Sequence, residues 1–188
     1  MTPRFAVFAT ALGDCAVAWR GEAGEGLIGS QLPAADAGAL RALMRERFGD
    51  ALEVPPPAPV QAAIAAVQRL LAGQTADHGE LLAVRLDDRS LSGFERQALQ
   101  LTRHIPVGQT RSYGEIAAAL GDAGAARAVG RAEGRNPFAP IVPCHRVMGA
   151  GGDPTGFSAP GGVDTKRRLL LIEARAAGQL AGDQRPLF

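Results

Sequence analysis

The chain has 188 residues, 46% of them hydrophobic and 21% charged, and 20 basic side chains against 19 acidic ones leave a net charge of +1. Those values are ordinary for a globular protein with one large domain or two small ones, and they exclude a histone-like polycation. No apolar run approaches the roughly 20 residues of a membrane helix, no signal-peptide h-region opens the chain, and two cysteines make no disulfide framework, so a reduced, cytoplasmic location is expected.

In chain order, residues 4–10, 15–20 and 26–32 read as short strands separated by Gly-containing turns, a meander. Residues 35–48 have a helical pattern with Leu40, Leu43, Met44 and Phe48 on one face. The proline-rich stretch 53–59 is a rigid connector, a second helix spans about 60–72, and 81–86 reads as another strand. The run Asp87-Asp-Arg-Ser-Leu-Ser-Gly marks a boundary, which predicts an α/β domain over 1–90, a helical domain over 91–177 and a flexible tail over 178–188.

The second half changes character. Residues 1–100 carry 9 basic and 12 acidic side chains, whereas 101–177 carry 10 basic and 6 acidic ones, a mild basic bias that permits an acidic partner. One helix is expected over 94–104. Ser112-Tyr-Gly-Glu115 then matches a capping box, opening a helix that stops at Gly121, and Asp122 can cap the next helix over 123–132. Two short helices joined by a tight Gly-containing turn form a helix-turn-helix pattern. The second is rich in small residues (Ala125, Ala126, Ala128, Val129, Gly130), with Arg127 and Arg131 four apart on one face. That face suits either a nucleic-acid groove or a packed core helix with two solvated arginines. The glycine-rich loop 149–162 lacks the spacing of a phosphate-binding loop and reads as a flexible wall. Asp164 or Thr165 can cap a last helix whose Lys166, Leu169, Leu170 and Glu173 share a face. Glu173 is then either solvated at the helix edge or buried against a partner such as His145.

The residues that carry chemistry are Pro143-Cys144-His145-Arg146-Val147. Proline stiffens the approach to the thiol, and the adjacent imidazole offers a base near neutrality. Cys144 is either a small buried hydrophobe or a nucleophile, in which case Cys144, His145 and Glu173 form a Cys-His-acid triad. Neighbours in an extended segment point to opposite faces, so His145 reaches Cys144 only if the chain turns there or a water relays the proton.

From Ile105 to Glu173 the sequence resembles the O6-alkylguanine-DNA alkyltransferases, on Pro-Val-Gly-Gln-Thr-Arg-Ser-Tyr-Gly-Glu-Ile-Ala, Ala-Ala-Arg-Ala-Val-Gly, and Asn136-Pro137 followed by Ile-Val-Pro-Cys144-His-Arg-Val. The resemblance implies an RNase H-like α/β N-terminal domain and a helical C-terminal domain with a winged helix-turn-helix. It implies a DNA repair protein that flips a damaged base from duplex DNA, gripped through the minor groove. The alkyl group would pass irreversibly from O6 of guanine, and from O4 of thymine, to Cys144, one per molecule. Asn136 would hold the active-site turn, Arg127 would enter the base stack, and Tyr113 would press on the adjacent phosphate. Arg131, Ala126 and Gly130 would line the DNA-facing helix. Val147, Phe157, Ser158 and Lys166 would surround the guanine. A cofactor-free monomer is implied, and Cys15, His78 and His104 offer no metal-ligand spacing. Phe157 stands where many relatives have a tyrosine that donates to guanine, and the following segment is longer. Two other readings are a non-catalytic lesion-recognition protein, against which the cysteine argues, and a cysteine hydrolase, against which the helix-turn-helix argues. Gln184-Arg-Pro-Leu-Phe188 resembles a sliding-clamp docking peptide, or is a tail folded back on the domain.

Overall fold

The computed structural model describes residues 2–179. Strands β1 (Arg4–Thr10) and β2 (Gly13–Trp19) form an antiparallel hairpin in register from Arg4↔Trp19 to Thr10↔Gly13. Its turn is tied by Thr10, whose hydroxyl accepts from Leu12 N and donates to Gly13 O, and Gly13 takes φ +128° there. β3 (Leu27–Gln31) extends the meander beside β2, and β4 (Leu52–Glu53) returns parallel to β1, giving the order β3-β2-β1-β4.

The strand period of two decides what lies on each face. Phe5, Ala16 and Ala18 meet Leu40 and Met44 of α1 (Ala37–Phe48), while Ala6, Cys15, Val17 and Trp19 meet Val60, Val67 and Leu71 of α2 (Ala58–Leu71). β2 is buried from Cys15 to Trp19, which is why it reads as an unbroken apolar run. Asp36 caps α1 by accepting from Ala39 N at 2.8 Å, and the proline run delivers the chain abruptly into α2.

Residues 81–86 are not the expected strand. The chain forms a helical turn, α3 (Gly79–Ala83), and only Leu86 keeps a strand-like bridge, to Leu27. Asp77 accepts from Gly79 N at 2.8 Å, and the Arg103 guanidinium donates to the carbonyls of Leu81, Leu82 and Val84. A distant arginine thus satisfies the carbonyls a neighbouring strand would have taken, which a short apolar run cannot announce.

In the second half, capping boxes at Ser92/Glu95 and Ser112/Glu115 open α4 (Gly93–Arg103) and α5 (Tyr113–Ala119). The helix expected over 123–132 divides: Asp122 caps a 3-10 turn over Ala123–Ala125, and α6 (Ala126–Gly134) follows. α7 (Gly162–Ala176) begins before either expected cap, because Gly161 adopts a left-handed φ of +81° and Thr165 donates to Pro160 O at 2.8 Å instead of capping. β5 (Arg111–Ser112) pairs in parallel with β6 (Val147–Met148), binding the start of α5 to the segment after Cys144. The architecture is mixed α/β, and no described helix is long and apolar enough to cross a membrane.

The sheet also holds the segment that leads to Cys144. Ser30 N and Oγ donate to Pro137 O and Ala139 O at 2.8 Å each, and Arg47 of α1 donates to Ser30 O and Pro137 O at 3.1 Å. A Cβ on Gly29 would stand 2.4 Å from the Phe48 ring and 3.1 Å from Pro137 O, so the close approach requires glycine. Val107, Ile141 and Leu169 join the same hydrophobic cluster as Trp19 and Val67. Ile141, fully buried two residues before Pro143, is where this core meets the segment that carries Cys144. Ile141→Ala is expected to lower unfolding free energy by about 2–5 kcal/mol, measured by urea titration.

Candidate functional site

Asn136 braces the approach to Cys144: its Nδ2 donates to Val142 O at 2.7 Å and its Oδ1 accepts from Phe138 N at 2.9 Å. After Pro143 the chain turns through a 3-10 helix over Cys144–Arg146, closed by Arg146 N donating to Pro143 O at 2.8 Å. Cys144 is 7% exposed and lines a cavity of about 290 Å³ together with Glu133, Asn136, Phe157, Ser158 and Pro160.

Glu173, on the buried face of α7, is paired. Its Oε1 accepts from His145 Nε2 at 2.7 Å and Arg146 Nη2 at 2.8 Å, and its Oε2 accepts from Arg146 Nε at 2.8 Å. Burial alone would raise the Glu173 carboxyl, but His145 and Arg146 outweigh it and hold it down to about 2. Glu173 is therefore an acceptor only, so His145 Nε2 carries the hydrogen. Burial also lowers the His145 pKa, which keeps the ring neutral, and Nδ1 is left bare, buried and without a partner. Arg146 is fully buried and also donates to Ile105 O.

On the other side of the turn, Lys166 Nζ donates to Val147 O at 2.6 Å and Thr155 O at 3.4 Å, and lies 5.9 Å from the Tyr113 ring centroid. Burial lowers the Lys166 pKa. Tyr113 Oη donates to Thr155 O and Gly156 O at 3.3 Å, and burial pushes its hydroxyl up to about 12, so it stays a neutral donor. Cys144 is also pushed up to about 12, first by burial and then by Glu133, with Asn136 and Lys166 pulling the other way. At rest the sulfur is a thiol. Ser158 Oγ donates to Gly134 O at 2.8 Å, which ties the glycine-rich loop to the end of α6.

The structure thus gathers Cys144, His145, Glu173, Asn136, Val147 and Lys166 around one turn, with Phe157 and Ser158 as the cavity wall. Arg127 and Arg131 are exposed on α6, Ala126 is half-buried, and a Cβ on Gly130 would touch the Tyr113 ring at 3.8 Å. Among the described residues no group of three His, Cys, Asp or Glu side chains is placed to hold a metal. Gln184–Phe188 lies outside the described residues. Sequence reasoning missed two residues. Arg146 was signalled only by the need of a buried Glu173 for a cation. Glu133 was signalled by its place four residues after Val129 on the apolar face of α6.

Residues 93–175 match the family model described as the DNA binding domain of 6-O-methylguanine DNA methyltransferase. A methylated-DNA–protein-cysteine methyltransferase of Mycolicibacterium paratuberculosis is 53% identical over 92 residues, covering 49% of this chain and 54% of the relative. The one from Salmonella typhimurium is 52% identical over 80 residues, covering 43% and 46%. In these alignments the chain spans about half the length of the curated relatives it matches. The O6-methylguanine methyltransferase structure of Mycobacterium tuberculosis is similar over 96% of both chains, at 32% identity and a TM-score of 0.71. The OGT of that organism in complex with DNA covers 92% of this chain and 94% of its own, at 32% identity and a TM-score of 0.72.

Glu173→Gln leaves Arg146 buried without its counter-ion and is expected to destabilise the fold by about 3–5 kcal/mol. Because the folded pKa of Glu173 is depressed, its contribution is fully present above the ordinary value of 4.5 and is lost as pH falls toward about 2. Unfolding titrations over that window are expected to show an acid-induced loss in the parent that is absent from the variant.

Proposed function

The chain belongs to the family of O6-methylguanine-DNA methyltransferases, and from that premise we propose that it repairs duplex DNA by moving an alkyl group from O6 of guanine, or O4 of thymine, onto Cys144. The observation that carries the reading is the bare, buried Nδ1 of a neutral His145 in the turn that carries Cys144, with Nε2 locked onto Glu173. A water relays the thiol proton to Nδ1. The thiolate attacks the alkyl carbon, the S–C bond forms as the C–O6 bond breaks, and the electron pair stays on the base. The imidazolium is stabilised by Glu173, and the product is a thioether with no leaving group for water, so each molecule acts once.

The target atom is buried in the duplex, so the base must leave the stack at a cost of a few kcal/mol, less when it is damaged. Arg127, exposed at the start of α6, fills the vacated space. Tyr113 presses on the neighbouring phosphate, Arg131 meets the backbone, and the small residues Ala126 and Gly130 let α6 approach the minor groove closely. The flipped guanine occupies the cavity beside Cys144. There Asn136 holds the floor, Phe157 supplies an apolar wall, and the main chain at Val147 and Ser158 addresses the base edge. Lys166 fixes the Val147 carbonyl. Support for DNA as partner comes from a relative at 32% identity solved in complex with DNA.

The finer architecture belongs to the same reading. The sheet order β3-β2-β1-β4 with helices on both faces supports an RNase H-like domain over 1–90. α5, the 3-10 turn and α6, flanked by β5 and β6, support a winged helix-turn-helix within 91–177. A cytoplasmic monomer without cofactor fits this chemistry. Clamp docking through Gln184–Phe188 is a proposal from the sequence, and removing those five residues is expected to abolish clamp binding.

Incubating the chain with a duplex containing O6-methylguanine and weighing it intact is expected to show one methyl in place of one hydrogen, located on Cys144 and absent from Cys144→Ala. No mass gain would refute the reading. Arg127→Ala is expected to slow transfer from duplex roughly tenfold or more, since flipping costs a few kcal/mol, while transfer from the free base O6-methylguanine is unchanged. Equal slowing on both would deny Arg127 its role in the stack.

A further inference from the structure

Glu133 is 3% exposed on the buried face of α6 and lines the same cavity as Cys144. Its Oε1 accepts from Thr102 Oγ1 at 2.6 Å, and its Oε2 is buried with no partner. The polar and titratable groups facing it are Thr102 from α4, Tyr113 from α5, Cys144 from the 3-10 turn and Lys166 from α7. A carboxylate buried in this way is costly unless it finds a partner. Burial pushes Glu133 up to about 7, against the pull of Thr102 and Lys166, so the protonated form is well populated near neutrality. Because Oε1 accepts from Thr102, the proton resides on Oε2, the oxygen without a partner.

We propose that Glu133 is the acid of the transfer step: its Oε2–H bonds N1 of the flipped O6-alkylguanine and delivers its proton there as the alkyl group leaves. This rests on the alkyltransferase reading. Alkylation at O6 removes the hydrogen from N1, which becomes an acceptor beside the N2 amino donor. A protonated carboxyl offers the complementary pair, a donor on Oε2 and a remaining lone pair on Oε1. When the Cys144 thiolate takes the carbon, the C–O6 electrons stay on the base and create a guanine anion. The Oε2 proton moves to N1, the base becomes neutral guanine, and the charge that entered on sulfur ends on the Glu133 carboxylate. The opposite assignment, a base for the thiol, is disfavoured by the site itself. Ionised Glu133 pushes the Cys144 thiol further up, so its charged form works against the nucleophile. The same acid accounts for Phe157, which cannot donate to the base.

The test is the single-turnover rate of methyl transfer from duplex O6-methylguanine to the full chain, read by rapid quench and intact mass across the neutral pH range. Glu133→Gln keeps the shape and a hydrogen-bond donor but has no proton to give. It is expected to be about 100-fold slower below about pH 7, as for a lost general acid, with the gap narrowing above that pH as parental Glu133 ionises. Its melting midpoint and DNA affinity are expected to be unchanged. Thr102→Val keeps the acid but removes a bond that favours its ionised form, so the high-pH fall of the parental profile is expected to move upward. Equal rates for parent and Glu133→Gln at every pH would overturn the proposal. So would a parental rate that rises through pH 7 and loses that rise in the variant, which identifies a base. A pH-independent loss accompanied by a lower melting midpoint would assign Glu133 a structural role instead. If the parent itself gains no methyl on Cys144, the alkyltransferase reading falls, an outcome separate from all of these.

Discussion

The arrangement of the turn that carries Cys144 depends on one buried carboxylate. Glu173 takes three charged or polar hydrogen bonds from two consecutive residues, His145 and Arg146, and those residues belong to the same 3-10 turn as Cys144. Arg146 donates in parallel to both oxygens, which fixes the plane of the carboxylate and through it the imidazole tautomer. A carboxylate with a single partner in this position would be costly to bury. With two, it converts a surface-type helix residue into the anchor of the site.

The anchor also holds the turn in which the Cys144 thiol is buried. Burial raises the Cys144 pKa, so the resting protein does not present a thiolate to small electrophiles or oxidants. In the proposed reaction a base fills the cavity, the neutral imidazole takes a proton, and Lys166 acts on Cys144 as a positive charge. The N-terminal sheet contributes by holding the entry to the turn: Ser30, Gly29 and Arg47 secure Pro137 and Ala139, and Ile141 is locked into the same core as Trp19.

Much of this could be read from sequence because it obeys local rules. The Ser112/Glu115 capping box, the Gly121 stop and the pairing of a face-buried Glu173 with His145 depend on spacing and on the cost of burying charge. The features that escaped were decided by distant residues. Arg103 turned 81–86 from strand to helical turn by supplying donors from another helix. Gly161 moved the start of α7 by adopting a left-handed conformation that no local pattern distinguishes from an ordinary loop glycine. Arg146 is chemically visible in the motif, but its complete burial comes only from the packing of α7 against the turn.

The proposed transfer turns on the state of one imidazole: neutral, with hydrogen on Nε2 and none on Nδ1. Nitrogen-15 NMR of the histidines, with His145 assigned by His145→Gln, measures this directly. The predicted result is a pyrrole-type Nε2 and a pyridine-type Nδ1 for His145 at neutral pH, with the pattern lost in Glu173→Gln. A charged imidazolium, or hydrogen on Nδ1, would contradict it, because neither leaves Nδ1 open to take the proton of Cys144.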